Sequence, residues 1–153
     1  WGKNVYVKIP VVNSKGQFTG AVIKELTTKG IKINITAIYS FEQVEKVLKC
    51  LDKKTKSIIS IFAGRMADNG IDPLPVFKKS IFRVKNYKNI EILWASTREP
   101  YNFIQAKQLG CSIITMPSKI INQIEYFGKN AKKLTLETVK GFLSDSQKSR
   151  FKI

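Results

Sequence analysis

The residues of this chain best equipped for chemistry stand at the carboxyl ends of short apolar runs. In NVYVKIPVV, Lys8 interrupts the β-formers Val5, Tyr6, Val7 and Ile9, and Pro10 closes the run because it has no N–H for a ladder. A lysine at a strand end ordinarily carries its ammonium out to water along its own aliphatic stem. Set among apolar neighbours and near other cations, the same amine gives up its proton more easily. It is then a nucleophile whose natural target is a carbonyl, giving a Schiff base. INITAIYS places Asn34 and Thr36 two residues apart, on one side of a strand. IISIFAGR puts Ser60 and Phe62 on one side, and Gly64 frees a turn leading to Arg65. ILWASTR repeats the arrangement with Ser96 and Arg98. Arginine is scarce, at Arg65, Arg83, Arg98 and Arg150, so two of them just past strand ends are informative. With a serine hydroxyl they suit a phosphate, held through bidentate charge-assisted hydrogen bonds. Asn34, Thr36 and Ser60 suit the hydroxyls of a polyol. Lysine, polyol and phosphate groups together describe a sugar-phosphate aldolase or transferase. Phe62, on residue type alone, reads equally well as core filling.

These side chains need a scaffold that gathers strand ends. The predicted strands are Val5–Ile9, Ile31–Ile38, Ser57–Ala63, Ile90–Ala95 and Ser112–Thr115, with helical patterns between them. Ala21, Val22, Ile23 and Leu26 share one helical face before the stop Lys29-Gly30. Phe41, Val44, Val47, Leu48 and Leu51 recur at helical spacing behind Ser40, an N-cap candidate with Gln43 three residues on. Further helices are predicted over Leu74–Val84, from Pro100 to a close at Gly110, over Ser118–Tyr126 and over Thr135–Leu143. Strand and helix alternating at this rhythm means βαβ units and a parallel sheet, whose carboxyl edge collects function.

The make-up of the chain narrows the classes. Its 153 residues, 43% hydrophobic and 25% charged, suit one α/β domain over residues 1–153. No apolar stretch approaches the ~20 residues of a membrane span, so no membrane partner is expected. Trp1-Gly2-Lys3-Asn4 lacks both a starting Met and the apolar core of a signal peptide, so the chain is expected to begin partway through a longer protein. There is no histidine, and Cys50 and Cys111 stand far apart, which removes zinc fingers, Ser-His-Asp triads and histidine acid–base catalysis. The two cysteines read as reduced core thiols of a cytoplasmic protein. A net charge of +16 raises nucleic acid as a partner, but the lysines are spread over every segment. The densest group, Lys53-Lys54-Thr55-Lys56, has no interleaved aromatics to stack bases. A solvated lysine-rich surface that steers small anions is the expectation.

VYVKIPVV resembles the Schiff-base strand of the transaldolase family, which includes the fructose-6-phosphate aldolases, and KGIKINITAIYSFEQ resembles the strand and helix that follow it. SIFAGRMAD is similar to a family segment that usually reads Ser-Pro-Phe-Val-Gly-Arg, and ILWASTREP to the phosphate-binding Ala-Ser-Phe-Arg. AKQLGCSIITMPSKIINQI resembles the last barrel strand and its helix. Ile61 and Thr97 depart from the usual proline and phenylalanine. The resemblance implies a (β/α)8 barrel of which this chain is the C-terminal portion, strands four to eight. It implies that Lys8 forms the Schiff base, that Asn34 and Ser60 hold a dihydroxyacetone unit, and that Thr36 positions a water for proton transfer. Arg65, Ser96 and Arg98 would bind phosphate. Phe62 resembles the transferases, the aldolases having tyrosine there. The family's acidic residues on the first and third strands and its asparagine on the second have no counterparts here. Asp68 and Asp72, expected in a loop, and Glu99, expected to open a helix, are not placed to replace them. No cofactor or metal is implied, since the imine is itself the electron sink. Rings of subunits occur in small family members, and Leu134–Leu143 is an expected contact between copies. The expected activity is transfer of the three-carbon unit between sugar phosphates. Release of free dihydroxyacetone, or a non-catalytic basic binding module, are the alternatives.

Overall fold

In the computed structural model, residue 2 and residues 4–149 are described. Trp1 and Lys3 of the opening segment, and Arg150 with the three residues after it, lie outside them. The order is β1 (Val7–Pro10), α1 (Gly20–Thr28), β2 (Ile33–Ile38), α2 (Phe41–Leu48), β3 (Ser57–Phe62), α3 (Ala63–Asp68), α4 (Leu74–Val84) and β4 (Ile90–Ala95). It continues through α5 (Tyr101–Leu109), β5 (Ile113–Ile114), α6 (Ser118–Gln123), a 3-10 turn over Ile124–Tyr126, and α7 (Ala131–Ser149).

The five strands form one parallel sheet in chain order, β1-β2-β3-β4-β5. One face is greasy throughout. Ile9, Ile33, Ile35, Ile59, Ile61, Ile92 and Trp94 are buried there in one cluster with Ile23 of α1, Val44 and Val47 of α2, Phe77 of α4 and Ala106 of α5. Phe77 stacks on Trp94 with ring centroids 4.4 Å apart. Because successive crossovers return on that same face, the sheet is singly wound. That is the arc of a (β/α) barrel, and the strand-order reversal of a doubly wound sheet is absent from it. The other face carries Lys8, Asn34 and Ser60, with a small apolar patch of Ile58, Leu93 and Ala95 flanked by Tyr6, Phe62 and Ile113.

Local chemistry fixes the helix ends. Ser40 and Gln43 form a reciprocal capping box, Gln43 N–H donating to Ser40 Oγ at 3.2 Å and Ser40 N–H to Gln43 Oε1 at 3.2 Å. Gly110 ends α5 at a left-handed φ of 79° that a β-carbon would oppose. Thr27 at the end of α1, Asp52 and Thr55 of the loop before β3, and Asn89 before β4 are braced together through buried and half-buried hydrogen bonds.

Five expectations change. Pro10 lies inside β1 and does not end the ladder, which continues with Val11 N–H donating to Thr36 O at 3.0 Å. Val7 and Val11 turn their N–H groups toward β2, so the nitrogen of Pro10 falls on the open edge, where nothing asks it to donate. Ala63 and Gly64 open α3 where a strand end and turn were expected, and Asp68 is the last residue of that helix, not a loop residue. Glu99 lies just before α5 rather than within it. The Thr135–Leu143 helix is the middle of the 19-residue α7, none of whose residues is buried. Among the described residues no helix is long and apolar enough to cross a membrane.

Candidate active site

Lys8, Asn34 and Ser60 come to the helix-free face by simple alternation along parallel strands. Lys8 is paired in register with Asn34, and Asn34 is joined to the next strand by the Ser60 hydroxyl, which donates to Asn34 Oδ1 at 2.6 Å. That bond occupies the amide oxygen, so the Nδ2 donors are what Asn34 has left to offer a ligand oxygen. Thr36 follows on the same face, opposite Pro10. Its Oγ1 is buried and has no hydrogen-bond partner among the described residues. Directly beyond it β2 shifts register between Ile35 and Ile38, and Ala37 takes a left-handed φ of 60°. Such a bulge re-aims the chain beside a site.

The expectation of an amine enclosed by apolar neighbours is not met in this chain: Lys8 is exposed. The cause is positional. Among the described residues, β1 is a sheet edge paired with β2 alone, and no helix packs on the face that carries Lys8.

The anion-binding candidates are gathered at the ends of β3 and β4. β3 runs straight into α3, and a β-carbon built on Gly64 would stand 1.7 Å from the Ser96 carbonyl oxygen and 2.8 Å from Arg98 Cγ. Glycine is therefore what lets the Phe62–Arg65 and Ser96–Arg98 segments meet. Ser96 itself is held at a left-handed φ of 65°. Thr97 Oγ1 donates to Thr115 O at 2.6 Å, joining this corner to the end of β5. Phe62, half-buried, meets Tyr39 edge-on at 5.8 Å and carries the Arg65 guanidinium 5.8 Å above its ring. Arg98 lines an open groove with Ser96, Thr97, Thr115, Met116 and Pro117.

Sequence reasoning missed Asn102 here, and named Asp68 only as a loop residue without its partner. Asn102 Oδ1 accepts the Arg98 backbone N–H at 3.0 Å. Asp68 takes the Arg98 side chain, with Nε 3.1 Å from Oδ2 and Nη2 2.7 Å from the same oxygen. The Arg98 hydrogen bond, with further pull from the Arg98 and Arg65 charges, holds the Asp68 carboxyl below the usual carboxylate range. The available signal was the three-residue step from Arg65 to Asp68 in GRMAD, which places both on one face once that stretch is a helix.

The structure thus brings together Lys8, Asn34 and Ser60 on one side and Arg65, Ser96 and Arg98 on the other, with Lys8 and Arg98 three strands apart. The singly wound parallel sheet, with its helices on one face, is consistent with part of a (β/α) barrel. The sequence matches the family described as Transaldolase/Fructose-6-phosphate aldolase over residues 1–153, and the chain belongs to that family. It is 33% identical to a probable transaldolase of Caldicellulosiruptor saccharolyticus over 148 residues, 95% of this chain and 62% of the relative. A probable transaldolase of Myxococcus xanthus is 33% identical over 147 residues, 95% of this chain and 60% of the relative. One of Herpetosiphon aurantiacus is 33% identical over 125 residues, 81% and 53% of the respective chains. The chain spans between half and two thirds of the length of these curated relatives.

Proposed function

We propose that this chain carries the Schiff-base and phosphate-binding half of a cytoplasmic transaldolase. The Lys8 amine adds to the carbonyl of a ketose phosphate and loses water to form the imine. Removal of the C4 hydroxyl proton breaks the C3–C4 bond, releasing an aldose phosphate and leaving a three-carbon enamine on Lys8. The enamine then adds to the carbonyl of an aldose phosphate acceptor, whose oxygen takes up a proton, and water hydrolyses the new imine to free the product and the amine. Asn34 and Ser60 hold the hydroxyls of the three-carbon unit. The unpartnered Thr36 hydroxyl holds the water that passes protons, and Arg65, Ser96 and Arg98 bind the phosphate. The observation that supports this reading best is the Ser60–Asn34 hydrogen bond beside Lys8 in strand register, a small polar cluster on the face a barrel turns inward. Phe62 favours transfer over release, since a phenyl ring brings no hydroxyl to hydrate or protonate the enamine.

Borohydride reduction of the full-length protein with fructose 6-phosphate should leave a covalent adduct on Lys8, and Lys8→Met should abolish it. An adduct elsewhere, or none, overturns the assignment. Fructose-6-phosphate aldolase activity is the neighbouring reading, and a non-catalytic basic module, suggested by the +16 charge, the remote one. Turnover that requires erythrose 4-phosphate marks the transferase, and turnover without it the aldolase. Steeply salt-dependent retention on DNA with no sugar-phosphate turnover marks the binding module.

A further inference from the structure

The carboxylate of Asp68 belongs to no part of the proposed reaction, yet it grips the arginine assigned to phosphate. Three contacts join them: Nε to Oδ1 at 3.2 Å, Nε to Oδ2 at 3.1 Å and Nη2 to Oδ2 at 2.7 Å. Both side chains are about half exposed, 48% for Arg98 and 49% for Asp68, so as a source of stability the pair counts for little. Its geometry is what matters. A guanidinium has five N–H donors in a rigid planar fork. Asp68 takes the side edge, Nε and one Nη2 hydrogen, which leaves the end edge, Nη1 and the other Nη2 hydrogen, outside this contact. The end edge is itself a bidentate fork suited to two phosphate oxygens.

Both ends of Arg98 are fixed by neighbouring elements. Its backbone N–H donates to Asn102 Oδ1 at 3.0 Å, and Asn102 is buried. Asp68 closes α3, the helix whose Gly64 lies under Ser96 so closely that no side chain fits between them. The backbone that carries Asp68 is therefore held close to the β4 corner.

We propose that Asp68 is the positioning residue of the phosphate site, clamping the side edge of Arg98 so that its end edge is presented ready-made to the substrate phosphate. The proposal rests on the phosphate role of Arg98 given above. Positioning and simple charge make opposite predictions. As a mere counter-ion, Asp68 repels the phosphate, and its removal should tighten anion binding. As a clamp, its removal should weaken binding even though the site becomes more positive.

The test is titration of the protein with inorganic phosphate, followed by calorimetry and by the arginine side-chain resonances, with circular dichroism confirming that each variant folds. Asp68→Ala should weaken phosphate binding about tenfold, equivalent to ~1.4 kcal/mol. Asp68→Asn, which keeps an oxygen to accept from Nε, should recover most of the loss. Unchanged or tighter binding in Asp68→Ala overturns the clamp. In the full-length enzyme Asp68→Ala should raise KM for the sugar phosphate more than it lowers kcat, and the reverse split counts against the proposal. Arg98→Ala and Arg65→Ala serve as the control on the underlying reading. Phosphate affinity that survives both removes the phosphate site itself, and the clamp with it, whereas loss in both together with an indifferent Asp68→Ala removes the clamp alone.

Discussion

Thr36 hides a hydroxyl that nothing among the described residues answers. A buried hydroxyl without a partner carries its desolvation cost into the folded state, so Thr36→Val, nearly isosteric, should raise stability by about 1 kcal/mol in urea unfolding. The same change should slow the proposed reaction, because the water proposed to bind there would lose its partner. A gain in both would remove Thr36 from the site. Gly64 is the opposite case. Gly64→Ala puts a methyl group 1.7 Å from a carbonyl oxygen, and the backbone must separate to admit it. A loss of at least about 2 kcal/mol is expected, read as a lower unfolding midpoint, together with weaker anion binding. Gly64 was legible as necessary but for another reason, a turn, when its real demand is a close approach. Thr36 was legible as inward-facing from its spacing with Asn34. Its lack of a partner was not, since satisfaction depends on strands far away in sequence. Cys111 shows how burial alone sets reactivity: it pushes the thiol up to about 12, so reagents that need the thiolate should label it slowly at pH 8.

Among the elements, those with their own start and stop signals were readable. α2 has its Ser40–Gln43 box, and Ser40→Ala should lower stability by about 1 kcal/mol. α3 was not readable because it has neither cap nor turn before it. Phe62 leaves the sheet and Ala63 enters a helix in consecutive residues. Strand order could be guessed from the alternation, but the core contact of α4 with β4 is a tertiary matter. Phe77, stacked on Trp94, should lose about 3–5 kcal/mol on replacement by alanine. Helix surfaces also carry a pH dependence. Hydrogen bonds from Lys29 and Lys46 hold the Glu25 and Glu42 carboxyls below their ordinary value. A carboxyl depressed in the folded state contributes above the unfolded-state value and loses that contribution as pH falls through the folded value. Both pairs are solvent-exposed, so the loss is small and screened by salt. Far-UV circular dichroism below pH 4, at low and high salt, should show partial fraying of α1 and α2 that added salt makes smaller.

At the scale of the whole molecule, the parallel α/β class was legible because every buried strand alternates with an amphipathic helix. The exposure of Lys8 was not, because it depends on what stands beside β1 rather than on β1 itself. The length of α7 was likewise underestimated: polar residues outside Thr135–Leu143 conceal a helix whose Leu134, Leu136, Val139, Phe142 and Leu143 all stand exposed. A helix of that length without buried residues gains little from packing and stays close to the helix–coil balance of a peptide. Backbone amide exchange should therefore be fastest in α7 and slowest in β3, and equal protection in the two would contradict the placement of α7.

Parallel pairing sends Val7 and Val11 toward β2 and turns the amide of Lys8 to the vacant border of the sheet, two residues before a proline with no hydrogen to give. The residue proposed to form the imine thus lies on an edge strand of the sheet. A strand pairing along that edge would shelter the amine from water, so on the proposed chemistry edge pairing and burial of Lys8 go together.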